Sequence, residues 1–371
     1  MNPKITILLL VASVLVLVAP GCTKKTEIGN SIYIANAGEG NTSERITVAE
    51  TGASIDITAR AATVVDNNIS VSFSVVEDAL NKYNETWGTE YKILPEKYYS
   101  LSATTAQITA GSAFASPVSL HIDALDADLP DTERYAIPVQ VNSAGGGLPV
   151  LQSAKTLIVL IDRVVITTVV HLRNANARTD LKTPLTGLRA WTFEWRSNLD
   201  AMNTNNRALM MGYGEGTEVY MRFGDVVIRP SQLQVKFGSY GQFSPDDDFQ
   251  ANRWYHYALV YDGSTAKWYA DGRLILNVAL NASFNFDNIQ FGNNNTVGMV
   301  NEMRFWSVPL SSTQIINNMY SVNPSASGLE GYWKCNDGTG RVLKDATSKG
   351  NDMNITGGTV TWRTGIKMPA E

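Results

Sequence analysis

The chain has 371 residues, long enough for two or three domains of ordinary size. Apolar residues supply 44% and charged residues only 18%, which argues for packed cores and against both disorder and helical bundles with Lys- and Glu-rich wet faces. With 30 basic against 35 acidic residues the formal net charge is -5, which leaves no electrostatic footprint for nucleic acid. The 3 histidines and 2 cysteines leave almost nothing for a zinc or thiol centre.

Lys4 precedes an apolar run from Ile5 to Val18, interrupted only by Thr6 and Ser13. At about 14 residues the run is short for a membrane span and suits the core of a signal peptide. It ends in Ala19-Pro20-Gly21-Cys22, which resembles a bacterial lipobox. The resemblance implies cleavage before Cys22, acylation of that residue and a stable lipid anchor, since each buried CH₂ contributes about 0.8 kcal/mol. Residues 1–22 therefore read as a lipoprotein signal peptide and residues 23–31 as a polar tether. Thr23 stands where an inner-membrane lipoprotein commonly carries Asp. The expected location is the outer membrane, lipid-anchored at the cell surface, with the periplasmic face as the alternative. Once Cys22 is acylated, Cys335 has no disulfide partner and the domains depend on their own cores.

Residues 32–162 carry short strands of period two. Ile69, Val71, Phe73 and Val75 alternate with serines, and Val118, Leu120, Ile122 and then Ile137, Val139, Val141 repeat the scheme. Ile55 and Ile57 make a shorter copy. The run from Thr156 to Ile161 is apolar on both faces and fits a central or closing strand. About seven such strands predict an immunoglobulin-like sandwich. Pro138 within a strand predicts an edge or a bulge, and Glu77 to Asn84 predicts one or two helical turns. Tyr83-Asn84, Trp87-Gly88-Thr89, Tyr91, Leu94-Pro95, Tyr98, Tyr135 and Pro138 together resemble a domain of unknown function. That domain leads many Bacteroidetes surface lipoproteins, ahead of chitinase-like glycosidases or lectin modules.

Residues 164–371 form the second predicted domain. Trp191, Phe193 and Trp195 alternate with Thr192, Glu194 and Arg196, and Val219, Met221 and Phe223 follow suit. Asp262-Gly263 and Asp271-Gly272 between alternating runs predict two hairpins of type I′, whose central residues both need positive φ. Ser311 and Gln314 have capping-box spacing ahead of Ile315, Ile316 and Met319, which predicts a helix. Trp191-Thr192-Phe193-Glu194-Trp195, Trp254 to Gly263, Trp268 to Gly272, Glu302 to Trp306, Leu329 to Trp333, Asn336 to Gly340 and Asp345 resemble, in order, the laminin-G-like, concanavalin A-like lectin family. The resemblance implies a jelly roll of two packed antiparallel sheets with loops around the rim. Trp191, Trp195, Trp254 and Trp306 are expected in its core, as is the thiol of Cys335.

Hydrolysis finds little support. A concanavalin A-like glycosidase needs two carboxylates two or four apart on one strand. Glu215 and Glu218 are three apart, on opposite faces of any strand. In Asp123-Ala124-Leu125-Asp126-Ala127-Asp128-Leu129-Pro130 the acidic spacing resembles a chitinase signature, but Pro130 stands where a proton donor is required. His121, His171 and His256 sit in strand-like settings with no nucleophile elbow nearby. Sugar binding asks for less: an aromatic face for the C–H side of the ring and a few amides or carboxylates for its hydroxyls. Tyr213 and Tyr240, each among glycines, and nearby Phe243 are the ligand-binding candidates. No cofactor is required. The family resemblance adds a structural calcium at the rim, for which Asp345, Asn351 and Asp352 are the candidates; Asp246, Asp247 and Asp248 read as a solvated loop.

The expectation is an all-β chain, an immunoglobulin-like sandwich followed by a concanavalin A-like (laminin G) jelly-roll sandwich. Its expected function is non-catalytic: an envelope lipoprotein that binds polysaccharide or glycoprotein glycans for a neighbouring glycan uptake system. A protein-binding adhesin or assembly component is the alternative.

Overall fold

The computed structural model describes residues 29–38, 42–126, 128–130 and 133–368; Cys22, with the rest of the signal segment and most of the tether, lies outside them. Among the described residues no helix is long and apolar enough to cross a membrane.

The N-terminal domain is a β-sandwich with one helix laid on its outside. Its larger sheet contains the strands Ser43–Val48, Thr156–Arg163, Arg134–Ala144, Ile69–Val75 and Thr105–Ile108 in that spatial order, with Tyr91–Ile93 parallel to the start of Arg134–Ala144. A three-stranded sheet of Ala53–Ile57, Val118–Ile122 and Tyr99–Leu101 packs against it. Period two assigns the faces. Leu157, Val159 and Ile161 join the core between the sheets, whereas Ile158 and Leu160 meet Leu80 and Tyr83 of the helix α1 (Glu77–Trp87). Burial on both sides explains why this strand is apolar throughout. The helix is longer than expected, running on to Trp87 and ending in Gly88 at φ +62°, a left-handed cap that favours glycine. Asn84 ties that end down: its side-chain oxygen accepts from Thr89 Oγ1 at 2.8 Å and the Tyr91 N–H at 3.0 Å, and its Nδ2 donates to the Tyr91 carbonyl at 2.8 Å.

Pro138 sits at neither an edge nor a bulge. It pairs with Ile158 on one side, and on the other its carbonyl accepts from the Val76 N–H. On that side the strand changes partner, from Tyr91–Ile93 up to Ala136 to Ile69–Val75 from Val139 onward. The missing N–H falls at the changeover, where no ladder bond is lost.

Only Val164 separates Thr156–Arg163 from the strand Val165–Leu188, which opens the C-terminal domain and runs through both of its sheets. One sheet, here the front, continues outward from it as Phe284–Phe291, Arg207–Gly214, Thr217–Phe223, Leu233–Phe237 and Gln242–Phe243. The other, the back, continues as Val297–Trp306, Trp191–Leu199, Tyr255–Tyr261, Thr265–Ala270 and Arg273–Ala279. The strand Met353–Met368 pairs along Val165–Leu188 between Val165 and Arg178. Between the sheets lies an aromatic core: Trp191, Phe193, Trp195, Phe284, Phe286 and Phe305 are buried, with the Phe193 ring 5.6 Å from that of Phe286 across the sandwich. Such pairs add to the area term that dominates a core of this kind.

The turns separate into two chemistries. At Asp271-Gly272 both residues have positive φ, +48° and +77°, as a type I′ turn requires. At Asp262-Gly263 only the glycine does, at +94°, and the turn is closed by the Asp262 side chain, which accepts from the Ser264 and Thr265 N–H groups at 3.0 and 2.8 Å. The capping box is present: Ser311 Oγ accepts from the Gln314 N–H and Gln314 Oε1 from the Ser311 N–H, opening the short helix α2 (Ser312–Asn317). This helix and its flanks cover the back sheet, burying Ile315, Leu310 and Val322 against Ala258, Val260, Trp306 and Tyr332. It also meets the N-terminal domain. Asn317 accepts from Arg45 at 2.6 Å through its side chain and from Arg134 at 2.8 Å through its carbonyl, and Gln314 donates to the Gly88 carbonyl at 3.3 Å.

Candidate functional site: the front face of the C-terminal sandwich

Alternation decides what the front sheet shows to solvent. In Thr217–Phe223 the residues Val219, Met221 and Phe223 enter the core, so Glu218, Tyr220 and Arg222 point outward. Register then places Tyr220 opposite Met211 and Lys236, Arg222 opposite Gln234, and Tyr213 between Glu218 and Asn288. Gln290 lies beside Met211 on one side and Arg178 on the other. Tyr213 faces outward because its neighbour Gly212 faces inward: a Cβ there would stand 2.6 Å from the Phe286 ring and 2.8 Å from that of Phe193. The result is a sheet surface carrying two tyrosines among amides.

Its charges are internally matched. Lys236 pairs with Glu218 at 2.6 Å, Arg178 with Asp180 at 2.6 Å, and Arg222 with Asp225 while also bonding Gln234 and Gln242. The amides are linked as well, Gln290 Nε2 donating to Asn288 Oδ1 at 2.8 Å and Asn176 Nδ2 to Gln290 Oε1 at 3.3 Å. Half-buried Tyr213 donates to Met211 Sδ at 3.4 Å, and burial raises its phenol above the ordinary value. Tyr220 donates to Asn206 at 2.9 Å. Such a surface offers ring faces and neutral donors and acceptors in fixed positions, the elements that hold a sugar ring by stacking and by its hydroxyls.

The predicted candidates divide. Tyr213 belongs to this face. Tyr240 lies at its rim, 47% exposed, in the short turn Gly238–Tyr240, its ring 6.3 Å from that of Phe284. Phe243 does not share the exposure expected of it: paired with Val235 it turns inward, its ring 6.1 Å from Phe237. The calcium candidates lie together in one loop, but their oxygens are already engaged. Asp345 accepts from the Tyr332, Thr347 and Asn351 N–H groups at 3.1, 2.9 and 2.8 Å, Asp352 from the Asp345 N–H and from Lys344, and Asn351 Oδ1 from the Lys182 N–H. This arrangement staples the loop and does not fit an oxygen cage for a cation. Among the described residues no group of three or more His, Cys, Asp or Glu side chains is placed to hold a metal ion. Asp247 and Asp248 are not merely solvated, pairing with Arg273 and Arg229.

The residues that resembled a catalytic set have structural partners. His121 bonds Ser54 at 2.8 Å and His171 bonds Asp200 at 3.0 Å. His256 is buried behind the core, Nε2 3.4 Å from Glu194 Oε1. Glu194 is held by the Trp306 indole N–H at 2.7 Å and by Arg304 at 3.6 Å, and Arg304 also pairs with Glu302. Burial alone would raise the Glu194 carboxyl, but His256 and Arg304 hold it below the usual carboxylate range. Asp126 accepts from Tyr98 at 2.6 Å and from the Asp128 N–H at 2.9 Å, an Asx turn in a loop. Trp191, Trp195, Trp306 and Cys335 are buried as expected. Trp254 is not: one residue before Tyr255, it shares the outward parity of His256 and remains half-buried.

Residues 173–316 match the family model described as concanavalin A-like lectin/glucanases superfamily, and residues 28–148 match one described as an N-terminal domain. No curated protein matches the chain. Among solved structures, a Bacteroides ovatus protein provisionally described as carbohydrate-binding is 23% identical, with a TM-score of 0.54 over 90% of this chain and 97% of its own. A domain of a Geobacillus stearothermophilus arabinanase in complex with arabinotriose is 13% identical, with a TM-score of 0.31 over 35% of this chain and 66% of its own. A pentraxin from Limulus polyphemus is 10% identical, with a TM-score of 0.38 over 54% and 95%. With two sheets around an aromatic core and this family match, the C-terminal domain belongs to the concanavalin A-like lectin/glucanases superfamily, carried behind a separate N-terminal β-sandwich domain.

Proposed function

We propose that the protein is a non-catalytic glycan-binding lipoprotein whose front face receives a neutral stretch of polysaccharide or glycoprotein glycan. The observation that carries this reading is the pair Tyr213 and Tyr220 on a rigid sheet, ringed by Asn288, Gln290 and Gln234, with each nearby charge matched inside the surface. A face without net field favours uncharged hydroxyl-bearing ligands over ions. Glu218 and Asp180, its carboxylates, are each neutralised by a cation and suit neither proton donation nor nucleophilic attack. The likeness to a Bacteroides ovatus protein described as carbohydrate-binding agrees with this reading. Acylation at Cys22 would tether the chain to the outer membrane, the N-terminal sandwich would hold the lectin domain off the bilayer, and a neighbouring uptake system would receive the captured glycan. Replacing Cys22 by Ala should release the protein from the membrane fraction.

The test is a glycan array followed by calorimetry on the best ligand. Tyr213→Ala and Tyr220→Ala should each weaken binding roughly tenfold while leaving the melting temperature nearly unchanged. Unchanged affinity in both, or turnover of the oligosaccharide, would reject the assignment. A protein ligand is the second reading. Its support is an apolar tip beside this face, where Val226 and Val227 are 93% and 83% exposed. An empty array together with protein binding lost in Val226→Ser would favour it.

A further inference from the structure

On the back of the sandwich one cation has no counter-ion. Arg196 leaves the strand Trp191–Leu199 on the face away from the core and is only 3% exposed. Among the described residues nothing forms a hydrogen bond or ion pair with its guanidinium, and its Nη1 is buried and unpartnered. Its neighbours are two rings, Trp254 at 5.2 Å and Tyr320 at 5.0 Å, which hold the fork between them. The nearby carboxylates are already committed: Glu194 to Trp306 and Arg304, Glu302 to Arg304 and Tyr332, Asp271 to the His256 N–H at 2.8 Å and Arg253 at 3.6 Å. A desolvated cation without a partner is costly to keep, and folded proteins rarely tolerate one. A recess of about 690 Å³ opens beside it, lined also by Asn252, Arg253, Asp271 and Tyr320.

We propose that this recess is a second binding site, separate from the tyrosine-bearing front face, and that it takes the carboxylate of a small acidic ligand on Arg196. The planar guanidinium matches a carboxylate in two parallel hydrogen bonds, and a fork already fixed by stacking loses little freedom on binding. Asp271 on the same wall disfavours a dianion such as phosphate, whereas a single negative charge completes the local balance. The volume exceeds what a bare carboxylate fills. Asn252 and Asp271 offer partners for hydroxyls, so the carboxylate can belong to an acidic sugar residue or to a free organic acid.

Calorimetry and thermal shift with D-glucuronate, acetate and inorganic phosphate, on the full chain, test this. Glucuronate should bind the wild type and stabilise it, phosphate should not, and Arg196→Met should abolish the effect. Without ligand, Arg196→Met should melt no lower than wild type, because the side chain it removes has no partner to lose. Arg196→Lys keeps the charge without the fork and should weaken binding about tenfold or more. Acetate weaker than glucuronate assigns the site to an acidic sugar; acetate of equal strength assigns it to free carboxylic acids. Tyr213→Ala should leave glucuronate affinity unchanged, which keeps this site distinct from the front face. No response to either carboxylate in the wild type, or an equal response in Arg196→Met, overturns the proposal. If Arg196→Met does not fold, Arg196→Lys decides alone: weakened binding supports the site, and unchanged binding overturns it.

Discussion

The two outer faces of the C-terminal sandwich are built from the same alternation and put to opposite uses. On the front, residues pointing away from the core stay in water, and their charges and amides pair with one another across neighbouring strands. On the back they are roofed by α2 and its flanks, so that Glu194, His256, Glu302 and Arg304 are buried together. Polar groups exposed to solvent can be exchanged at small cost, while the same groups under a roof must be satisfied by one another. A face that is to accept varied ligands belongs to the first kind. A face that holds a domain together belongs to the second.

The largest expected effect tests the roofed side. Arg304→Met leaves two buried carboxylates without their cation and should lower unfolding free energy by about 3–5 kcal/mol in a urea titration; a loss below about 1 kcal/mol would mean that water reaches this cluster. Next comes the loop between the faces. Asp345→Ala removes an acceptor shared by three backbone N–H groups and should cost about 2–3 kcal/mol, equally with calcium and with chelator. A calcium-dependent loss would reinstate a cation there.

Acid should also distinguish the faces. Burial lowers the His256 imidazole below its ordinary 6.5, so between the folded and unfolded values the unfolded chain binds more protons and stability falls as pH falls. The slope is at most about 1.4 kcal/mol per pH unit, and it begins near pH 6.5. Glu194, held low when folded, adds a second loss below the ordinary carboxylate value. His256→Gln should remove the first limb and keep the second, as read by melting temperature against pH. The smallest effects belong to the front: Tyr213→Ala and Asn288→Ala should each change stability by less than about 1 kcal/mol. A larger loss would show that this surface serves the fold rather than a ligand.

Much of this was legible before the structure. Alternation through Trp191-Phe193-Trp195 and Val219-Met221-Phe223 identified the inward residues, because burial imposes period two on any strand with one wet face. The same rule makes Tyr220 outward and, applied from Tyr255 and Tyr257, puts Trp254 outside the core; family likeness drew Trp254 inward instead. What alternation lacks is adjacency. That Asn288 stands beside Tyr213 depends on Phe284–Phe291 pairing with Arg207–Gly214 across more than 70 residues of chain, which no local pattern encodes. Arg196 was equally hidden, since its isolation follows from where Tyr320 is carried by the segment after α2.

The single residue between Thr156–Arg163 and Val165–Leu188 has a mechanical meaning. With Val164 as the whole hinge and Asn317 gripped by Arg45 and Arg134, the lectin head has no swivel of its own. Tension from a captured polymer would run straight along Val165–Leu188, in shear against the ladder of Met353–Met368, rather than unzipping it bond by bond. Single-molecule pulling should therefore find a high rupture force at this seam, and inserting a glycine-rich spacer at Val164 should restore free rotation of the head.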